Sequence, residues 1–470
     1  VTQDFERGGG AVENETVKSF DEIMQEILVM VEEKEYVKAR DLLLKNNEVD
    51  IAEILEEILE ELDVDAAIIM FRMLPKDVSV EVFSYLPSED QVDIISGITE
   101  REISYIIEEL DFDDKIDVLE ELPANVVDKI LEKTTKEERR LINTFLNYPE
   151  NSAGSLMTIE YVDLHDYFTV RKAMDYIRRT GIDKETVYTC YVIDDQRKLV
   201  GQVSLRKLII APESACIRDI MDTNIVSAVT TDDQEAVADD FRRYDLTSVA
   251  VCDKENRLVG IITIDDIVDV IQDENTEDIK KMAAIIPSDE DYMKTSVWSL
   301  VAHRLPWLML LMISATFTST IITHFETLLS GAVLLTAFIP MLMDSAGNSG
   351  SQTSVTVIRN LALGEIELRD WPRVLIKEIG VAVVSGAALA LVNFLRIIIF
   401  TNTSMMIAAV VSVTLFCTVI IAMIVGCLLP IGAKKLGFDP AVMASPMITT
   451  IVDACSLMIY FLIASTMLGL

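Results

Sequence analysis

The chain has 470 residues, a formal net charge of −37 and a hydrophobic fraction of 50%. Charge and hydrophobicity are segregated, because residues 294–470 hold 9 basic and 8 acidic residues whereas residues 1–293 hold 31 and 69. The acidic half repels phosphate backbones, which argues against nucleic-acid binding, and the apolar half argues against one soluble globule.

Residues 1–17 are expected to be a disordered N-terminal segment, and residues 18–150 an acidic domain of short amphipathic helices. Apolar residues recur there at helical spacing. A weak repeat of dipeptides separates the helices: Leu74-Pro75, Leu86-Pro87, Leu110-Asp111 and Leu122-Pro123. Helices that restart after Pro predict an all-α superhelix of repeats, although a plain helical bundle fits the same periodicity.

Residues 151–275 predict a tandem α/β repeat, with one copy over about 151–210 and the other over about 211–275. Each copy reads as a helix, a strand, a charged turn, a second strand and a further helix. The helices before the strands are expected at 169–180 and 234–244. The β-rich strings are 188–195 and 198–205 in the first copy, and 248–253 and 257–264 in the second.

A charged helical connector is expected over residues 276–297, and residues 298–470 are expected to form an α-helical membrane domain. A membrane-spanning helix needs about 20 apolar residues. The uncharged stretches predict five spans, at about 300–323, 329–358, 376–400, 405–432 and 440–468.

The basic residues of the short loops predict the orientation of these spans. The loop after the second span carries Arg359, Arg369, Arg373 and Lys377, and the loop after the fourth carries Lys434 and Lys435. Basic loops stay in the cytosol. The acidic N-terminal domains are therefore expected in the cytosol and the C-terminus outside.

Asp453 is the strongest candidate functional residue, because an ionised carboxylate facing lipid would cost several kcal/mol. It must face water, a cavity or a partner. We expect a cation site, with help from Thr449 and from a carbonyl freed by a kink at Pro446. A protonated Asp453 bonded to a neighbouring helix is the structural alternative.

The second span contains an unusual polar run, from Pro340 to Ser354, that includes Asp344 and Asn348. Such polarity suits a wet pore or close helix packing, and packing alone explains Gly347 and Gly350 about as well. Oxygen ligands without Cys or His in the pathway favour a hard cation such as Mg²⁺ or Ca²⁺.

Acidic residues are also concentrated in two soluble stretches, 111–117 and 265–278. Like charges on facing surfaces repel each other unless counter-ions bridge them. Cytosolic Mg²⁺ bound there would compact the domains and make this half an ion sensor. An ordinary solvated acidic face is the alternative interpretation.

The order of domains, together with the strings PMLMDSAGNSGSQTS, LRDWPRVLIKE and DPAVMASPMITTIVD, resembles the MgtE family of bacterial Mg²⁺ channels over nearly the whole chain. The tandem repeat resembles a pair of cystathionine-β-synthase (CBS) domains. The resemblance implies a homodimer in the bacterial inner membrane, with a pore between the two membrane domains. It also implies Mg²⁺ influx down the electrochemical gradient, closure by cytosolic Mg²⁺ and no enzymatic activity.

The resemblance assigns roles to individual residues. Asp453 falls on the pore carboxylate, Thr449 on a carbonyl that lines the pore, and Asn348 on the Asn of a Gly-Asn motif. Asp344, Ser445 and Pro446 are also expected to line the pore, although Ser445 replaces an Asn found near the cytoplasmic gate of a relative. The regulatory acids are expected to be Asp113, Asp117, Glu235, Asp245, Asp266, Asp269, Glu274, Glu277 and Asp278, the last three in the connector or plug helix.

ATP binding is not expected. In the first repeat Ser204 is followed by Lys207, where nucleotide-binding CBS domains commonly have a ribose-binding Asp. In the second repeat Asp266 stands at this position, but it is also an expected Mg²⁺ ligand. Two other function classes are alternatives. One is an intramembrane aspartyl protease that uses Asp344 and Asp453 as a dyad, although their sequence contexts do not match such proteases. The other is a CBS-regulated carrier of another solute, which the absence of intramembrane Lys or Arg disfavours.

Overall fold

The structure is a computed structural model that describes residues 19–288, 292–326, 333–401, 403–443 and 445–469. The predicted disordered segment 1–17 lies outside the described residues. The chain divides into two compact units, Val1–Val270 and Ile271–Leu470. Each unit has its own hydrophobic core.

The first unit begins with short helices, as the sequence predicts. They are α1 Phe20–Glu32, α2 Tyr36–Leu43, α3 Glu48–Glu61, α4 Val64–Arg72, α5 Lys76–Ser84, α6 Ser88–Gly97, α7 Glu100–Glu109, α8 Phe112–Glu121, α9 Ala124–Lys133 and α10 Lys136–Phe145.

The repeated Leu-Pro and Leu-Asp dipeptides lie at the starts of helices, as predicted. Pro75, Pro87 and Pro123 immediately precede α5, α6 and α9, and Asp111 precedes α8. Helices also pack in a regular order, with α3 against α5, α4 against α6, α5 against α7 and α6 against α8. This alternating contact is what a superhelix of repeats requires, and the superhelix itself stays a prediction.

The tandem α/β repeat follows. Its elements are α11 Ala153–Leu156, β1 Asp163–His165, α12 Val170–Thr180, β2 Thr189–Ile193, β3 Leu199–Ser204, α13 Leu205–Ile210, α14 Ile217–Ile220, β4 Ser227–Val229, α15 Gln234–Tyr244, β5 Ser248–Cys252, β6 Leu258–Thr263 and α16 Ile264–Met282; a short 3₁₀ helix, Gly181–Asp183, follows α12. Each copy forms a three-stranded sheet in which the first two strands are parallel and the last two antiparallel. The helices expected at 169–180 and 234–244 are α12 and α15. The sequence missed β1 and β4, because three residues are too short for a period-two pattern.

One hydrophobic cluster joins the N-terminal helices to the second repeat. It includes Phe112, Ile116 and Leu119 from α8 together with Ile262 from β6 and Ile267 from α16. Apolar burial of this extent is the main stabilising contribution to folding. It therefore determines which charged side chains of α8 and α16 must lie close to one another.

The second unit contains the long helices. They are α17 Val297–His324, α18 Ile339–Ala362, α19 Trp371–Phe400, α20 Met405–Lys435 and α21 Ser445–Leu468, with 3₁₀ helices at Val333–Phe338, Leu368–Asp370 and Pro440–Met443. Four segments are long and apolar enough to cross a membrane: Val297–His324, Leu368–Phe400, Met405–Lys435 and Pro446–Leu468.

Two predicted segments differ from the observed elements. From residue 333 onward, the described part of the expected span at 329–358 is a 3₁₀ helix followed by α18, whose many polar residues keep it out of the apolar set. The expected connector at 276–297 overlaps only the end of a longer helix. Helix α16 begins twelve residues before residue 276, at Ile264 directly after β6, and ends at Met282. The sequence pattern alone did not show that one continuous helix leaves the sheet.

Small residues let the membrane helices approach closely. A Cβ added to Gly426 of α20 would lie 2.3 Å from the carbonyl oxygen of Gly350 in α18, and one added to Gly350 would lie 2.9 Å from Ile448 of α21. The backbones of α18 and α20 are therefore in direct contact. This packing fixes the position of α18, which carries the polar run.

We expect Gly426→Ala to destabilise the membrane domain by about 1–3 kcal/mol, because the new methyl group overlaps backbone and the helices must separate. Gly432→Ala is the matched control on the same helix, since a Cβ there meets nothing within 4 Å. Alanine stabilises a helix by about 1 kcal/mol relative to glycine. Thermal unfolding in detergent compares them, and equal melting temperatures would contradict the packing.

Candidate functional site

Asp453 lies on α21, eight residues after the helix begins at Ser445. At 1.5 Å per residue it lies about 12 Å into the helix, rather than the roughly 20 Å that a span starting at 440 implied. Its side chain is half-buried, and the carboxylate of Asp344 on α18 is close enough for the two charges to interact. The structure thus brings together the two acids that the sequence singled out in this domain.

The predicted kink at Pro446 is wrong. Pro446 is the second residue of α21, and the first turn of a helix has no intrahelical use for the missing N–H. No carbonyl is freed by a break within the span. Instead, the hydroxyls of Thr449 and Thr450 both donate to the Pro446 carbonyl, at 3.0 Å each. The side chain of Ser445 lies outside the described residues.

Helix α18 carries a row of exposed polar residues on one face. Asp344, Asn348 and Gln352 are all exposed, and their spacing of four places them in one row along the helix. The opposite side, including Ser349 and Thr353, is buried against neighbouring helices. Gln352 was not among the predicted pore-lining residues, although its four-residue spacing from Asn348 was the signal that could have identified it.

Within the part of the chain that the structure describes, no three His, Cys, Asp or Glu side chains converge as ligands of one metal ion. One copy of α18 and α21 therefore supplies two interacting carboxylates, hydroxyls and amides, but no closed ligand cage. Such an incomplete set suits an ion that keeps most of its water.

A second group of carboxylates lies in the first unit, and we call it the soluble acid cluster. Its members come from four short segments: Asp111, Asp113 and Asp114 at the start of α8, Asp265 and Asp266 at the start of α16, and Glu160 and Glu185 in loops before β1 and β2. They repel one another across these segments. The half-buried Lys184 and the buried Lys115 act on Glu160 in the opposite sense and lower its pKa.

Desolvation raises the pKa values of this cluster, and repulsion between neighbouring carboxylates adds to the shift. The pKa is about 6 for Asp113, about 7 for Asp114, Glu160 and Glu185, and about 8 for Asp266. One buried oxygen of Asp113 has no hydrogen-bond partner. The cluster therefore holds negative charge at a cost that a bound cation would remove.

Glu160 and Glu185 are cluster members that sequence analysis missed. The amide of Glu185 donates to the carbonyl of Glu160 at 2.9 Å, because β1 and β2 are parallel neighbours and both residues shortly precede their strands. A prediction of β1 beside β2 would have placed Glu160 and Glu185 at the same edge of the sheet.

The other predicted regulatory acids of the first unit are placed differently. Asp117 is exposed on α8, and its charge adds to the raised pKa of Asp114. Asp269 is exposed one turn after Asp265 on α16. Glu235 and Asp245 lie at opposite ends of α15, about 15 Å apart along the helix. These two cannot hold one ion within a single chain.

A third group of carboxylates lies in the second unit, at the end of α16. It contains the predicted acids Glu274, Glu277 and Asp278, together with Asp439 in the loop before α21. Burial and then the charge of Asp439 raise the pKa of Asp278. Asp439 was not predicted, because it is distant in sequence from the connector.

Known proteins resemble this chain along its whole architecture. Family models match residues 339–463 (MgtE, divalent cation transporter), 46–151 (MgtE intracellular N domain), and 153–214 and 217–273 (CBS domain). The magnesium transporter MgtE of Thermus thermophilus is 36% identical over 339 residues, which cover 72% of this chain and 74% of that protein. The chain belongs to the MgtE family.

A second transporter agrees with this assignment. The magnesium transporter MgtE of Bacillus subtilis is 33% identical and covers 79% of this chain and 82% of that protein. The crystal structure of the cytosolic domain of the Mg²⁺ channel MgtE in complex with ATP is 33% identical, covers 52% of this chain and 99% of that chain, and has a TM-score of 0.48. MgtE proteins are transporters, so the prediction that the chain is not an enzyme is confirmed.

The raised pKa values make a pH prediction for this MgtE protein. Its cluster carboxylates bind protons more tightly folded than unfolded, so the free energy of unfolding falls as pH rises between the unfolded pKa values near 4 and the folded values of about 6 to 8. In EDTA the first unit should therefore melt at a lower temperature at pH 8 than at pH 6. Asp266→Asn should shrink that difference, whereas the exposed Asp41→Asn should not. A higher melting temperature at pH 8 would contradict the cluster.

Proposed function

We propose that two copies of this chain form a channel-like Mg²⁺ transporter of the bacterial inner membrane, which carries Mg²⁺ inward and is closed by cytosolic Mg²⁺. The observation that carries the proposal is the exposed polar row of α18 beside the half-buried Asp453 of α21. Membership of a family of magnesium transporters supports the choice of ion.

The polar row of α18 supports a pore between two copies. Asp344, Asn348 and Gln352 are exposed on the single chain, and polar groups facing lipid at membrane depth would be costly. A second copy covering this row, with water between the copies, removes that cost. Helix α18 then serves as the fifth membrane-spanning segment, since its 24 residues extend about 36 Å.

The chemistry of the row suits Mg²⁺. The proposed pathway is lined by the carboxylates of Asp453 and Asp344, the amide of Asn348 and the carbonyl of Thr449. The candidate ligand atoms are therefore carboxylate and neutral oxygens. Mg²⁺ releases its water reluctantly, so a carboxylate from each copy attracts a largely hydrated ion without trapping it. The membrane potential supplies about 4.6 kcal/mol per 100 mV for a divalent ion, which is enough to drive entry.

The acidic groups of the soluble unit and of the connector act as the Mg²⁺ sensor in this proposal. At neutral pH the soluble acid cluster is held together by apolar packing against charge repulsion and desolvation. A divalent cation neutralises two charges at once and favours the compact arrangement. A high concentration of cytosolic Mg²⁺ thus stabilises one conformation of the soluble domains. The connector transmits this change of conformation to the pore, which closes.

Orientation follows from the basic loops, with the acidic domains in the cytosol and the C-terminus outside. ATP has no role in this proposal. Asp266, the only candidate ribose-binding acid that the sequence offered, accepts a hydrogen bond from Thr263 at 3.1 Å and belongs to the acid cluster.

We expect Asp453→Asn to abolish Mg²⁺ influx into proteoliposomes, because the amide keeps the shape but removes the charge that attracts the ion. Asp370→Asn is the control, since Asp370 pairs with Arg373 at the start of α19 and should transport normally. Size-exclusion chromatography should show the same oligomer for both. Normal Mg²⁺ flux in Asp453→Asn would end the pore assignment.

Neutralising the sensor should keep the pore open at high Mg²⁺. The variant combines Asp266→Asn, Asp269→Asn, Glu274→Gln and Glu277→Gln. Patch recordings should show channel activity at Mg²⁺ concentrations that close the unmodified protein, because binding no longer favours the closed arrangement.

The control for this experiment changes the same net charge elsewhere, with Glu32→Gln, Glu33→Gln, Asp41→Asn and Glu61→Gln, which are exposed positions of α1 to α3. It should close normally. Unchanged Mg²⁺ inhibition in the sensor variant, or its loss in both variants, would contradict the assignment of the sensor.

A further inference from the structure

A single lysine lies between acids from two different elements of the second unit. The ammonium of Lys281, in the last turn of α16, is 2.8 Å from a carboxylate oxygen of Glu277 and 2.8 Å from one of Asp439. Glu277 is one turn earlier on the same helix, whereas Asp439 lies in the loop that leads into α21. The ion pair therefore links the connector helix to the entrance of the helix that carries Asp453.

Asp439 is fixed from both sides. Its Oδ1 accepts the backbone amide of Ala441 at 2.8 Å, while its Oδ2 accepts the Lys281 ammonium. The first bond starts the 3₁₀ helix Pro440–Met443, which packs against both α20 and α21. A displacement of Lys281 would thus act on a loop whose geometry is coupled to the start of α21.

The environment makes this contact stronger than an ordinary surface pair. The side chains of Lys281 and Asp439 are only 23% and 34% exposed, so water screens them less than exposed ions. Burial lowers the pKa of Lys281, but hydrogen bonds to Asp439 and Glu277 outweigh it and raise the pKa, so that the ammonium stays charged. Asp278 and Glu274 add further negative charge to the same place.

We propose that Lys281 is a built-in latch, a permanent cation that holds the end of α16 on the Asp439 loop and thereby sets the Mg²⁺ concentration at which the pore closes. The proposal rests on the proposed function. Because Lys281 compensates part of the acid charge, the connector remains docked on the loop without metal. Mg²⁺ then has to supply only the remainder of the closing free energy.

The neighbouring Lys280 provides a matched control. It lies on a different face of α16, and its ammonium donates to the backbone carbonyl of Ser288. Replacing either lysine removes the same charge from the same turn of the helix. Of these two lysines, Lys281 is the one that pairs with Asp439.

The test measures Mg²⁺ inhibition of flux through the full-length protein in proteoliposomes. Lys281→Met keeps most of the unbranched side chain and removes the charge, so the latch predicts that half-maximal inhibition needs at least about threefold more Mg²⁺. Lys281→Arg and Lys280→Met should behave like the unmodified protein. An unchanged concentration in Lys281→Met would overturn the latch, and a lower one would overturn it in favour of competition between Lys281 and Mg²⁺.

Zero-length carbodiimide cross-linking tests the contact without transport. In EDTA the reagent should join Lys281 to Asp439 in the full-length protein, and mass spectrometry should detect the cross-linked peptide pair. The same pair should be missing from the Asp439→Asn variant, which has no carboxylate at this position. Its absence in the unmodified protein would overturn the proposal even if Lys281→Met fails to fold. If the cross-link forms but Mg²⁺ never inhibits flux in any variant, the proposed sensor function has failed and the latch with it; if inhibition is normal and independent of Lys281, only the latch has failed.

Discussion

The structure depends on one constraint: a carboxylate taken out of water must either bind a proton or have a positive charge beside it. This constraint acts on Asp453 in the membrane domain and on Asp266 in the soluble unit, where burial raises the pKa of Asp266 to about 8. In both places the position of the acid is imposed by apolar packing rather than by its own interactions. In the proposed function a divalent cation supplies the compensation in both places, so that transport and sensing use the same ion.

The two units handle this constraint differently. In the soluble unit, carboxylates from α8, α16 and the loops before β1 and β2 are brought together by one hydrophobic cluster. In the second unit the end of α16 carries its own counter-ion, Lys281, which bridges Glu277 and Asp439. Under the proposed function, the first arrangement responds to Mg²⁺ because repulsion between its carboxylates remains, whereas the second is partly compensated by Lys281 before Mg²⁺ binds.

Much of this organisation could be predicted from the sequence, because it depends on local patterns. Periodicity and Leu-Pro dipeptides located the N-terminal helices, and the strand-turn-strand strings located most of both sheets. The sequence could not show Glu160, Glu185 or Asp439, because each meets its partners only through tertiary packing. The Pro446 kink failed for a related reason, since composition does not reveal that α21 begins at Ser445, one residue before this proline.

The most direct measurement of the central claim is an electron cryo-microscopy map of the full-length protein in lipid with Mg²⁺. The account predicts a dimer with a water-filled path between two copies of α18, and ion density beside the paired Asp453 carboxylates at the longer distance of a hydrated ion rather than the ~2.1 Å of direct ligation. A map that places Asp453 in a dry seam between helices, with no aqueous route past it, would contradict the account.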